Sequence, residues 1–307
     1  MCRALAYLGR PILVDDLLYG TDSSLASQVY DAELYAYLNL GGFGLAAWGE
    51  GLADPDAPLH YRTPSLPIFD RNLRSLARNL TVEALVAHVR GVFYEHGESL
   101  TVLNVHPFRF EGTRVVLGMN GTLSRFAEMR YDLLGQIRPE VARHIEGNTD
   151  SEWVYALLLS QLSDPAAPAT PRQLERATEA TLRILRETRD RHGIDTASEM
   201  NLLVGDGRTI IATRFAYDYG WYSPEETYHA KHRRYDFTSL WCTAGREYVC
   251  RDGEWIMQGG DRLESVIVAS EPITKDFSTW VEVPEYAMMT ASLRDGTVEI
   301  TARELVV

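Results

Sequence analysis

A helical block occupies the middle of this chain and strands lie on both sides of it, an order that restricts the fold more than any other feature. Thr149-Asp150-Ser151-Glu152 reads as a capping box ahead of the apolar run Trp153–Leu162. Thr170-Pro171-Arg172-Gln173 reads as a second, with proline at the first helical position, opening a helix to about His192 that Gly193 would cap. Ser163–Ala169 is a Pro/Ala linker between them. Beyond residue 198 the pattern changes to strands: Asn201–Val204, Thr209–Thr213, Ser239–Thr243, Ser265–Ala269, Trp280–Val283, Ala287–Leu293 and Val298–Glu304. Asp206-Gly207 and Asp295-Gly296 are hairpin turns within that stretch. On the N-terminal side, Arg3–Leu8, Leu45–Trp48, Leu85–Val89 and Arg114–Gly118 read as strands, and Asp70–Leu80 and most of Tyr131–Ile145 as helix, with a break at Pro139. Residues 53–67, rich in Pro, Asp and Ala, read as loop. Strands, helices, then strands is the order of an α+β layered protein and not of a parallel doubly wound one. With 307 residues, 45% of them hydrophobic, the chain can bury a large core.

The net charge of −13 argues against nucleic acid and anionic membranes as partners. The short basic run Lys231–Arg234 fits a solvated loop. No apolar stretch reaches the ~18 residues of a membrane span, and Gly9-Arg10-Pro11 interrupts the first apolar run too early for a signal peptide. Three cysteines, Cys2, Cys242 and Cys250, are too few for a disulfide framework and suit a reducing, cytoplasmic location. His229-x-x-His232 is the one close histidine pair, without cysteine or an HExxH pattern beside it. The Gly-rich segment Asn39–Gly44 lacks GxGxxG or Walker spacing. No metal or cofactor is therefore expected.

Cys2 directly follows Met1. Once Met1 is removed, one residue carries both a thiol and an α-amine. Their ordinary pKa values, about 8.5 and about 7.7–8.0, make proton transfer between them nearly balanced. That is an N-terminal nucleophile with its own base. A strand starting at Arg3 would hold this terminus still, whereas most termini fray.

Four further segments carry groups that such an amidase needs. Ala87-His88-Val89-Arg90 places Arg90 at a strand end, where it could pair with a carboxylate or form an ordinary ion pair. Asn120-Gly121 could offer a side-chain amide and a backbone N–H to an oxyanion, or form a type I′ hairpin turn. Asp150 could hold an ammonium group or complement the helix dipole. Asn104-Val105-His106-Pro107-Phe108 looks like a buried turn in which His106 could orient its neighbours by hydrogen bonds.

In order, Met-Cys-Arg, Asn-x-x-Gly-Gly-Phe-Gly, Ala-His-Val-Arg, Asn-Val-His-Pro-Phe, Asn-Gly-Thr-Leu and Thr-Asp-Ser-Glu occupy residues 1–152. This set resembles the class II glutamine amidotransferases, the N-terminal-nucleophile glutaminases. The later segments Asn201–Gly207 and Val268–Pro272 are similar to the C-terminal half of a stand-alone branch. That branch includes the ergothioneine-pathway γ-glutamyl amidohydrolase and the glutaminase subunit of fungal glutathione breakdown. The resemblance implies one glutamine amidotransferase type 2 domain over 1–307, folded as a four-layer αββα sandwich of two antiparallel sheets between helices. It implies Cys2 as nucleophile with its α-amine as base, Asn120 and Gly121 as oxyanion hole, Arg90 for a substrate α-carboxylate and Asp150 for its α-ammonium. The implied reaction is hydrolysis of a γ-glutamyl amide, either glutamine or a γ-glutamyl conjugate, through a Cys2 thioester.

The chain departs from the family pattern at Gly91-Val92-Phe93, where a small residue, Ala and Thr are usual, and at Met119, where His is frequent. The segment Phe93–Thr101, with Tyr94, Glu95, His96 and Glu98, adds bulk and polarity. A synthetase-like partner subunit receiving ammonia is compatible with this reading. So are two alternatives: an N-terminal-Cys amidase of the bile-salt or penicillin type, and a catalytically silent binding or regulatory subunit.

Overall fold

The computed structural model describes residues 2–34, 38–92, 100–221 and 237–307. Met1, Phe93, Tyr94, Glu95, His96, Glu98, His229 and Lys231–Arg234 lie outside the described residues. In chain order the elements begin β1 (Arg3–Leu13), α1 (Val14–Leu18), β2 (Phe43–Trp48), β3 (Leu59–Thr63), α2 (Arg71–Ala77), β4 (Thr81–Val89) and β5 (Val116–Thr122). The helical block follows as α3 (Phe126–Leu134), α4 (Pro139–Ala142), α5 (Asp150–Ser160) and α6 (Pro171–Arg191). Then come β6 (Ser198–Gly205), β7 (Thr209–Arg214), β8 (Ala216–Tyr217), β9 (Trp241–Gly245), β10 (Glu247–Arg251) and β11 (Glu254–Gln258). The chain finishes with β12 (Ser265–Ala269), β13 (Val281–Glu282), β14 (Ala287–Arg294) and β15 (Thr297–Glu304).

Two antiparallel sheets carry the structure. One has the order β13-β9-β12-β1-β4-β2-β3, the other β15-β14-β7-β6-β5 with β8 on β6. The strand alternation explains why they stack. On β1, Ala4, Ala6 and Leu8 join Ala46, Ala84, Val86, Val116, Ala212 and Ala291 in an apolar layer between the sheets. Leu5 and Tyr7, on the opposite face, pack with Leu17, Leu18, Leu73 and Ile267 beneath α1 and α2. The many alanines between the sheets let two backbones approach closely, as sheet-on-sheet packing requires. A third core joins β5–β7 to α3, α5 and α6 through Leu117, Met119, Tyr155, Leu158, Leu182 and Met200. Helices, two antiparallel sheets and a thinner outer layer of short helices form the four-layer arrangement expected from the sequence.

The local signals hold in most places. Thr170 and Gln173 form a full capping box at the start of α6, and Gly193 takes the left-handed conformation beyond its end. Asp70 caps α2 by accepting the N–H groups of Asn72 and Leu73. The hairpins at Asp206-Gly207 and Asp295-Gly296 are present. At α5 only half of the expected box forms. Thr149 Oγ1 accepts the Glu152 N–H, but the Glu152 carboxylate accepts the N–H groups of Glu146 and Gly147 and does not return to the cap. Within the stretch read as loop, Leu59–Thr63 forms the edge strand β3. The hairpin β10–β11, closed at Asp252-Gly253, was not among the expected strands.

Candidate active site

β1 is a central strand, and it fixes the residues at its beginning. It pairs β4 with Ala4 opposite His88, and β12 with Leu5 opposite Ala269. Cys2 is 8% exposed. Arg3 and Glu271, both fully buried, form an ion pair at 3.7 Å. Arg3 Nη1 also donates to the Cys2 carbonyl at 3.0 Å, and the Glu271 carboxylate accepts the N–H groups of Glu33 and Leu34. Burial pushes the Glu271 carboxyl up, and Arg3 and the two N–H groups act against that. The terminus is thus tied to the β12 exit and to the 33–34 loop.

Side chains on alternate residues of a strand share a face. Ala4 and Ala6 face the space between the sheets, so Cys2 belongs to that face. On β4, Ala84 and Val86 do likewise, which puts His88 on it. On β5, Val116 marks the same face for Gly118 and Asn120. Cys2, His88 and Asn120 therefore converge at one end of the inter-sheet layer. The Gly91 N–H donates to Cys2 Sγ at 3.3 Å. Burial pushes the thiol up, but the His88 imidazole, the charge of the chain's amino terminus and the Gly91 N–H outweigh it, and the net pKa is lowered to about 7.

Asn120 and Gly121 lie inside β5, opposite Asn201 and Met200 of β6. This corrects the hairpin-turn alternative, because the strand expected to end at Gly118 runs on through both residues to Thr122. Gly121 sits at φ 154°, and a Cβ there would come 1.8 Å from the Glu199 carbonyl oxygen. Only glycine lets the two strands stay paired at that point. Asn120 Nδ2 donates to Ser270 Oγ at 3.2 Å, and the same oxygen accepts the Ala4 N–H at 3.0 Å. Ser270 thus joins β1 to the Asn120 amide.

The turn at Asn104–Phe108 is buried as expected. His106 Nδ1 accepts the Met119 N–H at 3.1 Å, and its ring stacks on His88 at 4.2 Å. Burial holds His106 well below its ordinary pKa, so it is neutral. His88 Nε2 meets the Met119 carbonyl at 3.0 Å. The two stacked histidines therefore hold both polar groups of the Met119 peptide, one residue before Asn120.

Arg90 follows β4 and is buried. Its N–H donates to the Gly42 carbonyl, and its carbonyl accepts the Gly41 N–H at 2.7 Å. A Cβ at Gly41 would come within 3.0 Å of Arg90 Cγ. The Gly-rich segment thus lets β2's lead-in close on Arg90. Asp150 is the first residue of α5. Its carboxylate accepts the Leu123 N–H at 2.7 Å and the N–H and hydroxyl of Ser151. Burial pushes the Asp150 carboxyl up, opposed by those donors and by the Arg90 charge. A carboxylate has about four lone-pair sites, so acceptor capacity remains beyond these three bonds.

His88, Ser270 and Glu271 were not singled out by function in the sequence. Ala-His-Val-Arg contained His88, but only the strand register shows that it faces Cys2. No group of three or more His, Cys, Asp or Glu suited to a metal occurs among the described residues. No described helix is long and apolar enough to cross a membrane.

Comparison with known proteins agrees with this fold. The probable glutamine amidotransferase DUG3 of Saccharomyces cerevisiae is 28% identical over 94% of this chain and 81% of its own length. A glutamine aminotransferase class-II domain protein from Silicibacter pomeroyi superposes with a TM-score of 0.62 at 19% identity, covering all of both chains. Glutamine phosphoribosylpyrophosphate amidotransferase from B. subtilis gives 0.57 at 15% identity, over 99% of this chain and 49% of that one. These two share the fold. The family model for class-II glutamine amidotransferases matches residues 48–306. With that match running over most of its length, the chain belongs to the class-II glutamine amidotransferases.

Proposed function

We propose that the protein hydrolyses a γ-glutamyl amide through a γ-glutamyl thioester on Cys2, with residues 1–307 acting as one catalytic domain. The observation that carries this reading is the convergence of the buried Cys2 thiol, its pKa lowered to about 7, with the Asn120 amide on one face between the sheets. After removal of Met1, the thiolate attacks the amide carbon. The oxyanion is received by the second N–H of Asn120 Nδ2 and by the Gly121 N–H. The α-ammonium of Cys2 protonates the leaving nitrogen, and water then releases glutamate. Arg90 takes the substrate α-carboxylate and Asp150 its α-ammonium. His106 orients the Met119 peptide and hence the approach to Asn120.

This zwitterion clamp selects γ-glutamyl compounds over the apolar acyl groups of bile-salt and penicillin amidases. A substrate panel contrasting glutamine and γ-glutamyl amides with acyl-glycines tests it. Glutamate release from the γ-glutamyl compounds, abolished in Cys2→Ala with the fold intact, is the expected result. Turnover of acyl-glycines alone, or undiminished hydrolysis by Cys2→Ala, contradicts it. Co-purification of a synthetase-like chain separates transfer of ammonia to an acceptor from simple hydrolysis.

A further inference from the structure

We propose that His88 is a second proton acceptor for the Cys2 thiol, in addition to the α-amine, and that it forms the thiolate through its Nδ1. The proposal rests on the reading of Cys2 as nucleophile. Its geometric basis is the register of two strands. His88 is the cross-strand partner of Ala4, and Cys2 is two residues before Ala4 on the same face. Such diagonal neighbours are within reach of a long side chain. The imidazole is fully buried and is held in place by the stacked His106 ring and by the contact of its Nε2 with the Met119 carbonyl.

The hydrogen bonding then sets which nitrogen faces the sulfur. A carbonyl can only accept, so the contact with the Met119 oxygen requires a hydrogen on His88 Nε2. In the neutral ring Nδ1 then bears a lone pair. Nδ1 is buried and has no hydrogen-bond partner among the described residues, while the His88 ring lies close enough to Cys2 to lower the thiol's pKa. An imidazole nitrogen left unpaired inside a protein is costly, and the Cys2 S–H, turned from its long 3.9 Å contact with the Gly91 carbonyl, would supply its donor. In the step itself the proton leaves Sγ for the Nδ1 lone pair, giving thiolate and imidazolium. Nε2–H stays on the Met119 carbonyl, and no other bond changes. The α-amine, protonated in its ordinary range, then gives its proton to the leaving nitrogen and, once neutral, takes one from the attacking water, while the imidazolium returns its proton to the thiolate expelled when the thioester opens. His106 cannot substitute for His88 in this role, because its Nδ1 is already committed to the Met119 N–H.

Cys2 reactivity can be read without turnover. In a Cys242→Ser/Cys250→Ser background Cys2 is the one remaining thiol, and its alkylation by iodoacetamide can be followed by mass of the N-terminal peptide across pH. The charged or titratable neighbours are Arg90, Arg62, His106, Asp150, the Arg3–Glu271 pair and the Cys2 α-amine. The two arginines flanking the site stay charged throughout the range. The parent curve is expected to reach half its maximum near pH 7. In His88→Gln and His88→Asn, checked for native circular dichroism and melting, the curve should move up by about one unit, so that alkylation at pH 6 slows about ten-fold. A folded variant that keeps the parent curve overturns the proposal, even if its glutamate release is lost. Failure of the nucleophile reading is distinguishable: Cys2→Ala would then retain hydrolysis, whatever the alkylation curves show.

Discussion

Asn120 donates its side-chain N–H to Ser270 Oγ at 3.2 Å, across the boundary between the two sheets. Asn120 belongs to β5 in one sheet, and Ser270 follows β12 in the other. The bond commits one hydrogen of Nδ2 and thereby fixes the direction of the second. An oxyanion donor has to be oriented before charge develops, because reorientation during the reaction costs free energy.

Replacing Ser270 with alanine should therefore lower kcat about ten-fold for glutamate release and leave KM within about two-fold. Truncation of the proposed oxyanion donor in Asn120→Ala should cost roughly 100- to 1,000-fold in kcat. Steady-state kinetics on both variants check this. A Ser270→Ala effect confined to KM would place the serine in substrate binding.

Gly121→Ala is expected to disturb the fold before the chemistry. The added Cβ would meet the Glu199 carbonyl at 1.8 Å, at a φ of 154° that L residues rarely adopt. The β5–β6 pairing has to open locally, at a cost on the order of 3 kcal/mol or more. Differential scanning calorimetry should show Tm lower by roughly 5–10 °C.

The Arg3–Glu271 pair is fully buried. Glu271→Ala leaves the guanidinium uncompensated and removes the acceptor for Glu33 and Leu34, so urea unfolding should show a loss of about 3–5 kcal/mol. The double variant Arg3→Met/Glu271→Leu removes both charges and should recover most of that loss. No recovery would mean that the loop N–H groups, and not the charge, dominate.

Activity should fall on the acid side of pH 7. The thiol's pKa is lowered to about 7, and in the proposed mechanism the thiolate attacks, so below that value kcat/KM should drop about ten-fold per pH unit. Asp150 is pushed up by burial, and protonating it removes the charge that meets a substrate ammonium. KM should rise on the same limb. A pH profile of kcat and KM measured separately resolves the two effects.

Much of this was legible in the sequence because caps, hairpin dipeptides and alternation are local signals. The helical block, the hairpins at Asp206-Gly207 and Asp295-Gly296, and the strand behind Cys2 all follow from residues within a few positions of one another. The edge strand β3 was hidden by its setting, since Leu59–Thr63 is half-buried and flanked by Pro- and Asp-rich segments. The β10–β11 hairpin did carry a readable signal in Asp252-Gly253 between Tyr248-Val249 and Trp255-Ile256. Asn120-Gly121 shows the limit of a dipeptide rule: the same pair that closes a hairpin elsewhere runs straight through a strand when β6 holds both sides. His88 and Ser270 could not have been placed beforehand. Their relation to Cys2 depends on two strand registers, β1 with β4 and β1 with β12, that no local pattern encodes.

The central claim is that Cys2, with its α-amine exposed, attacks a γ-glutamyl carbon. Mass analysis of the N-terminal peptide after inactivation by a chloromethyl ketone analogue of glutamine tests it most directly. The account predicts a peptide that begins at Cys2 and carries the label, with glutamate release lost in proportion. Active protein that retains Met1, or inactivation accompanied by label on Cys242 or Cys250 alone, would contradict it.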